Sequence, residues 1–285
     1  MAAKAEVKDV AIKPEGGALT TDFFAELAAE SSGAGVSSSA DDTIVPFIAL
    51  LQDMSPEAKK RDPKYVEGAE PGFLLNKASR QLWGPDDNLT VIPCAFQRVI
   101  NEWVPRDDGG GFVGRHPLPR DGNLEAGMSS IGAKQVKDPK DPEKSVWVTA
   151  DGRHQLTDTR YHYVLVENPD GRLIPAVLSF SSTGHTTSRS WMSLMNEPIP
   201  GSTVKPDSWM RRYRVRAVPK KNKKGDFFVL QVDAIPGKEG YVLDKSNREF
   251  ARKFHESIMS GAVRAADEEG HGEDRPAPNG DASGI

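Results

Sequence analysis

The chain has 285 residues, of which 37% are hydrophobic, 37 are basic and 41 are acidic, so its formal net charge is −4. The hydrophobic share is below that of typical globular domains, which favours one folded core with disordered ends. The composition excludes membrane spans of ~18 apolar residues, a secretory signal and an internal disulfide framework, because there is a single cysteine. We therefore expect a cytoplasmic protein that needs no cofactor and binds no metal.

Residues 1–43 are rich in Ala, Ser and Gly, which is typical of a flexible N-terminal arm. One short helix is predicted inside this arm, and it begins at Thr21 or Asp22. That segment is interpreted either as part of a mobile arm or as a docking helix.

Most signals in the middle of the chain are those of strands. Asn88 to Trp103 is rich in β-branched and aromatic residues, which predicts a strand that Pro93 interrupts. Residues 105–157 are rich in Gly, Pro and Asp, so we expect a long loop or insertion there.

Two β-hairpins are predicted in the second half of the chain. Residues 161–166 and 172–180 flank an Asn-Pro-Asp-Gly turn at 168–171, in which Pro presets φ and Gly accepts a positive φ. The runs at 209–218 and 227–234 flank a Lys-rich segment and predict a second, looser hairpin.

Two helices accompany these strands. The first begins near residues 186–187, ends before Pro198, and places Trp191 on an apolar face. The second opens at Ser246 with the Ser-x-x-Glu spacing of a capping box. Its apolar residues recur every four positions: Phe250, Phe254 and Ile258.

The order of hairpins and helices predicts a mainly β fold with a few helices, namely an OB-like antiparallel β-barrel with long insertions. This single domain would cover residues 44–264, with the insertion around residues 105–157. Residues 265–285 are acidic and almost free of large apolar side chains, so they are predicted to form a disordered acidic tail. The tail residues predicted to bind partners are Asp267, Glu268, Glu269, Glu273 and Asp274.

The main functional feature is the basic strand at residues 209–216, because strand side chains alternate between two faces. Arg212, Arg214 and Arg216 are expected on one face, opposite apolar side chains that belong on the core. Residues 205–224 hold nine basic residues and one acid, a local charge of +8. Such a row suits the backbone of a nucleic acid, but it also suits a charged edge strand that resists pairing with other sheets.

Single-stranded nucleic acid also needs aromatic side chains on which its bases stack. Phe227 is the best candidate, because strand alternation removes it from the apolar face of its own strand. Arg189, at the start of the middle helix, is added to the basic set, and the lysines of the turn would act as a mobile clamp. The predicted nucleic-acid-binding residues are Arg189, Arg212, Arg214, Arg216, Lys220, Lys221, Lys223, Lys224 and Phe227.

The linear sequence holds no pattern that indicates catalysis. Its six histidines never approach the spacing of paired metal ligands. The Gly109–Gly114 stretch lacks the Lys-Ser/Thr ending of a phosphate-binding loop. Cys94 lies in a strand pattern that favours a buried small hydrophobe over a nucleophile. We therefore expect no enzymatic activity and no catalytic residues, although an enzyme acting on nucleic acid could bring distant acids together in the fold.

Several segments carry a family resemblance. They are residues 45–52 followed by Ser55-Pro56, residues 67–73, and residues 179–183 leading to residues 188–195. Together they resemble tailed-bacteriophage proteins regarded as single-stranded DNA-binding proteins of the replication module, over roughly residues 45–235. The resemblance implies an OB-type fold, sequence-independent binding to single strands and an acidic C-terminal tail that contacts replication partners. The tail of this chain departs from that pattern because it ends Ala-Ser-Gly-Ile, without a terminal aromatic residue.

These observations predict a sequence-independent single-stranded DNA-binding protein of phage DNA replication or recombination. Its acidic tail would compete with DNA for the basic groove or recruit replication and recombination proteins. No membrane partner is expected, and a homo-oligomer is compatible with the sequence. The alternative is a phage structural or assembly protein, in which the basic hairpin and the acidic tail are complementary patches on neighbouring protomers.

Overall fold

A computed structural model describes residues 29–30, 44–119, 122–138, 141–222 and 225–267. By its internal contacts the chain divides into two units, residues 1–38 and residues 39–285. Residues 29–30 are the described part of the first unit, and they are helical. The arm helix predicted at Thr21 or Asp22 lies outside the described residues.

The second unit is built on a curled, half-barrel sheet. Within the described residues the strands are β1 (Ile44–Val45), β2 (Phe47–Leu50), β3 (Leu74–Asn76), β4 (Leu82–Trp83), β5 (Leu89–Trp103), β6 (Phe112–Pro117), β7 (Lys134–Asp138), β8 (Asp141–Val148), β9 (Gln155–Glu167), β10 (Leu173–Ser181), β11 (Tyr213–Asn222), β12 (Gly225–Ala234) and β13 (Arg264–Ala265). Three α-helices of this unit are α1 (Leu124–Ser130), α2 (Gly184–Met195) and α3 (Lys245–Met259). The mainly β class with a few helices is therefore confirmed.

Eleven of the described strands form one sheet, in the order β12-β11-β5-β9-β10-β2-β3-β4, with β6 on β5 and the β7–β8 pair on β9. Strands β1 and β13 form a separate parallel pair. An OB-type barrel has five strands, so the described sheet is larger than the predicted barrel, and the OB-like identity stays a prediction.

The long strand β5 organises the sheet. It pairs antiparallel with β9 along nearly its whole length, and the register shifts between Pro93 and Ala95, where proline cannot donate a ladder hydrogen bond. The strand predicted from Asn88 to Trp103 is thus confirmed as Leu89–Trp103, but Pro93 does not interrupt it and marks only the shift in register. On its other edge β5 pairs with β11 up to Val91 and with β6 from Val99 onwards. Between these points the edge of β5 pairs with no described strand.

Both predicted hairpins are present, and the second differs from its prediction in two respects. Strands β9 and β10 pair from Glu167 to Thr159 of β9, and their turn contains Gly171 at φ +82°, a conformation that suits glycine. The second hairpin is tighter than predicted, since β11 and β12 pair as far as Asn222 and Gly225. Trp209 and Met210, predicted to start the strand, belong instead to a 3-10 helix at Ser208–Met210.

Residues 105–157 do not form the long loop that was one of the two predictions for them, and the other, an insertion in the domain, stays a prediction. This segment contains β6, α1, β7 and β8, and it also starts β9. Ile100, Met128 and Leu156 form a buried cluster beneath it. A small apolar core contributed partly by β5 therefore orders a segment whose own composition resembles a loop.

The two longer helices cover opposite faces of the sheet. On one, called here the α2 face, Trp191 and Met195 pack with Val91 and Val164. On the other, the α3 face, Phe254 and other α3 residues pack with strand side chains. These side chains alternate along the strands with Val91 and Val164, so they point to the opposite side of the sheet. The predicted middle helix and its buried apolar face are thus confirmed.

The prediction for α3 requires two corrections, one to its N-cap and one to its buried face. Asp244, rather than Ser246, is the N-cap, because its side chain accepts a hydrogen bond from the Asn247 backbone N–H. Phe250 is 44% exposed, whereas Ala251 is buried. A helix repeats every 3.6 residues, so the spacing 251, 254 and 258 keeps one face buried better than a strict repeat of four.

None of the described helices has both the length and the apolar composition that crossing a bilayer requires.

Candidate nucleic-acid interface

The β11–β12 hairpin presents the predicted basic row on one face. Tyr213 and Val215 of β11 are buried on the α2 face. Arg214 and Arg216 alternate with them and pair in register with Asp233 and Gln231 of β12. The two arginines therefore lie on the face of the hairpin turned away from the core.

Arg212 does not belong to this row. It precedes β11, pairs with the Glu167 carboxylate at the end of β9, and donates a hydrogen bond to the Glu239 carbonyl oxygen at 3.1 Å. The chain turns before β11 because the 3-10 helix at residues 208–210 is followed by a bridge between Arg211 and Tyr241. A phosphate would have to compete with Glu167 for the Arg212 guanidinium.

Arg211, one of the nine basic residues of the segment, has a structural role. Its side chain is buried beneath the C-terminus of α2. It donates hydrogen bonds at 2.8–3.0 Å to the carbonyl oxygens of Leu194, Glu197 and Pro198. These hydrogen bonds satisfy backbone acceptors that a helix end leaves unpaired. The Arg211 side chain is therefore not available to a ligand on the hairpin.

Acidic side chains neutralise part of the remaining charge. Arg216 pairs with Asp233 at 3.0 Å, and Lys221 lies 3.8 Å from Asp226. Burial would raise the pKa of Asp233, but hydrogen bonds from Gln231 and Arg216 outweigh it and lower that pKa. Asp233 is therefore ionised at neutral pH and weakens the positive field of the row.

The cations left on the hairpin are Arg214 and Lys220, which are exposed and form no ion pair with a described residue. Phe227 pairs in register with Lys220 and is half-buried, so the two side chains belong to the same face of the hairpin. Lys223 and Lys224, predicted to form the clamp, lie outside the described residues.

A second basic group, which sequence reasoning missed except for Arg189, lies on the α2 face. Arg98 of β5 and Arg160 of β9 are direct partners in the ladder. Arg98 donates to both oxygens of Asp158, at 2.7 and 2.6 Å, and these bonds raise its pKa. Burial lowers the pKa of Arg160, Asp158 opposes that decrease, and the charges of Arg98 and Arg189 add to it. The strand period of two places Phe96 on the same side as Arg98, which is the signal that could have revealed the group.

Beside this group lies a cavity of about 470 Å³, bounded by the unpaired edge of β5, α2, α3 and residues 205–208. Phe96 lines it and is 36% exposed. The Phe96 ring meets His162 edge-on at 5.0 Å, and His162 stacks on Trp191 at 4.5 Å. The volume of the cavity is within the range of ~300–1,000 Å³ typical of ligand pockets.

Two titratable residues of the cavity wall are uncharged at neutral pH. Burial lowers the pKa of His162 to about 3, and Arg160 adds to the decrease. Its Nε2 shares a hydrogen bond of 2.8 Å with the Ser188 hydroxyl. Cys94 is buried, as its strand pattern predicts, and burial raises the pKa of its thiol, which stays protonated. Both groups therefore offer a ligand a neutral surface.

A third cluster joins β5, β6 and the turn before β9 through Glu102. One carboxylate oxygen is hydrogen-bonded to His116 at 2.7 Å and the other to His154 at 2.6 Å. Burial opposes the ionisation of Glu102, but these bonds lower its pKa overall. Across the part of the chain that the structure describes, no group of three or more His, Cys, Asp or Glu side chains has a metal-binding arrangement.

The predicted partner-binding residues fall almost entirely beyond the described range. Asp267 is exposed. The other four tail residues lie outside the described residues: Glu268, Glu269, Glu273 and Asp274. The contact between the acidic tail and its partners thus stays a prediction from sequence.

Comparison with known proteins gives one match. A family model described as Pam3 phage gp34-like protein matches residues 15–264. The matched range contains strands β1 to β12 and all three helices of the second unit. Neither the curated proteins nor the solved structures contain a match to the chain.

Proposed function

The chain belongs to the Pam3 phage gp34-like protein family, and from that premise we propose that it binds single-stranded DNA without sequence preference in phage DNA replication or recombination. The β11–β12 hairpin carries this proposal, because it presents exposed Arg214 and Lys220 on the same face as the half-buried ring of Phe227. Such a protein would act in the cytoplasm of the host cell and needs no metal or cofactor.

The proposed binding mode combines two kinds of contact. Arg214 and Lys220 neutralise phosphates and release the counterions condensed on the strand, which favours binding at low salt. Phe227 offers a π-face to bases of any identity, at roughly 1–3 kcal/mol per stacked base. Neither contact reads the edges of bases, so binding would be independent of sequence.

The strand order supports an OB-like identity, which we include in the proposal. The pairing β10-β9-β5-β11-β12, with α2 between β10 and β11 in the chain, has five strands and a helix between the third and the fourth. Because β10 pairs with β2 rather than β12, such a barrel would be open on that side. In OB-type barrels the loop between the fourth and fifth strands contacts oligonucleotides, and here that loop is the Lys-rich turn.

The test is fluorescence anisotropy with a labelled dT oligonucleotide and a matched duplex, titrated at several salt concentrations. A variant that combines Arg214→Ala, Arg216→Ala and Lys220→Ala is expected to bind the single strand more weakly. Its plot of log affinity against log salt concentration should be shallower by up to ~2 units, at ~0.7 per lost phosphate contact.

The matched control replaces three exposed cations elsewhere, Lys60, Arg153 and Arg172, by alanine. Its salt slope should equal that of the unchanged protein. Weaker binding with an unchanged slope in the hairpin variant would remove these residues as phosphate contacts. No binding to either substrate at low salt would overturn the proposed function.

The alternative is a phage structural or assembly protein, and one observation favours it. Strand β12 is the terminal strand of the described sheet, and a terminal strand offers backbone groups to another chain. Two results together would favour this function. The protein would self-associate in a manner that depends on ionic strength, as analytical ultracentrifugation measures, and it would show no affinity for DNA.

A further inference from the structure

The cavity beside the unpaired edge of β5 adjoins the basic group on the α2 face, and the two together are called here the groove. Its floor is formed by β5 and β9, where Phe96 pairs in register with His162 and Arg98 with Arg160. Its wall is α2, whose residues Arg189, Met192 and Asn196 follow one another at helical spacing. The groove therefore has a cationic end, near the arginines, and a cavity end, which is the 470 Å³ cavity.

The cationic end holds a guanidinium that no described residue neutralises directly. Arg160 is half-buried and forms no hydrogen bond or ion pair with any residue that the structure describes, and its buried Nε has no partner among them. The nearby carboxylate, Asp158, is already bonded to Arg98, while Arg189 is exposed. A buried donor without an acceptor is unfavourable, so an anion at this point would stabilise the group.

The cavity end carries side chains that suit an aromatic ring, beside the charged residues Lys205 and Asp207. Phe96 and three methionines, Met192, Met195 and Met259, line it. Thioether side chains adapt to a planar ligand and attract aromatic rings. His162 also lines the cavity, is fully buried, and its Nδ1 has no hydrogen-bond partner among the described residues. A base would find aromatic and thioether side chains to stack on here.

We propose that this groove binds one nucleotide of a single strand, with its phosphate at Arg160 and Arg189 and its base against Phe96 in the cavity. The inference rests on the proposed function for the nature of the ligand, but it uses different residues, on the face opposite to Arg214 and Arg216. A duplex is disfavoured in this mode, because a paired base must first be unpaired and unstacked, at a cost in free energy, before it can enter a cavity.

The experiment uses the full-length protein labelled with ¹³C at its methionine methyl groups. Titration with a dT oligonucleotide should shift the signals of Met192, Met195 and Met259, because they line the cavity. The signals of Met54, exposed elsewhere, and Met128, fully buried, should stay in place as internal controls. An oligonucleotide of the same length with abasic sites keeps the phosphates without the bases, and it should leave all five signals unshifted.

Two variants test the affinity. Phe96→Leu should weaken dT binding by about 5- to 100-fold, the effect of losing one stacked base. Arg189→Ala should reduce the salt slope by ~0.7. The control Arg252→Ala changes an exposed arginine on α3, on the opposite face, and should alter neither quantity.

The outcomes separate this inference from the proposed function. If anisotropy detects binding of the dT strand while the three cavity methionines keep their chemical shifts, the groove is not a nucleotide site and the proposed function stands. If shifts occur with the abasic strand as well, the base does not enter the cavity and the inference fails. If no strand binds, both fail together.

Discussion

The environment of His162 differs strongly from that of a free histidine side chain. It is fully buried between Phe96, Phe180 and Trp191, and one ring nitrogen is bonded to Ser188. Burial lowers its pKa to about 3. In the unfolded chain histidine titrates at a pH of ~6.5. Between about pH 3 and this value, His162 therefore carries a proton in the unfolded chain but not in the folded one.

This difference predicts acid sensitivity with a definite sign. The free energy of unfolding should fall as the pH is lowered from ~6.5 to about 3, by up to ~1.4 kcal/mol per pH unit for one proton. His162→Gln should remove this contribution, and urea denaturation at several pH values measures it. His271→Gln, in the predicted acidic tail, is the control and should keep the original slope. An equal pH dependence in the two variants would contradict the assignment.

Among the elements, the terminal strand β12 pairs with β11 along one edge, and described side chains bond to its backbone elsewhere. The Thr187 hydroxyl donates to the Leu230 carbonyl oxygen at 2.9 Å, and Gln52 makes two hydrogen bonds. The Gln52 side-chain amide donates to the Phe228 carbonyl oxygen at 3.0 Å, and its oxygen accepts from the Phe228 backbone N–H at 2.9 Å. Gln52 thus completes the hydrogen bonds of a strand neighbour at one position. It also blocks part of the edge at which another chain could add a strand.

Removing that side chain should therefore have two effects. Gln52→Ala leaves two backbone groups of Phe228 unpaired, so the free energy of unfolding should fall by ~1–3 kcal/mol. The newly open edge should increase self-association in sedimentation velocity. Gln135→Ala, at an exposed position of β7, is the matched control and should change neither property. A fully stable and monomeric Gln52 variant would show that β12 does not depend on this contact.

At the scale of the whole molecule, charge is distributed unevenly along an acidic chain. The segment 205–224 is strongly basic, and the last residues are acidic. Opposite charges on one chain attract, and the attraction weakens with salt over a Debye length of ~8–10 Å. The acidic tail therefore competes with DNA for the basic residues in the proposed function.

Deletion of residues 268–285 should accordingly strengthen binding of dT oligonucleotide at low salt. The gain should shrink as salt increases, because salt screens the tail and the strand alike. Anisotropy of the truncated and full-length proteins over the same salt series measures it. A variant in which the acids of the tail are replaced by their amides keeps its length and should behave like the deletion. Equal affinities at low salt would exclude competition by the tail.

The sequence was sufficient wherever structure depends on neighbouring residues. The Asn-Pro-Asp-Gly turn specified the β9–β10 hairpin, and alternation placed Arg214 and Val215 on opposite faces. It was insufficient where order comes from distant partners. Residues 105–157 look like a loop until Ile100 supplies the core beneath them, and Arg212 looks free until Glu167 meets it.

The candidate site divides in the same way. Local periodicity determined the basic hairpin, the apolar face of α2 and the stacking candidate Phe227, because backbone dihedral angles fix how side chains alternate within one element. Only the tertiary structure decided that Arg98 and Arg160, 62 positions apart in the sequence, are neighbours, and that a cavity opens between β5 and α2. The pairing of distant strands depends on the apolar surface that the whole sheet buries. That total depends on all the strands together, so no short segment of sequence determines it.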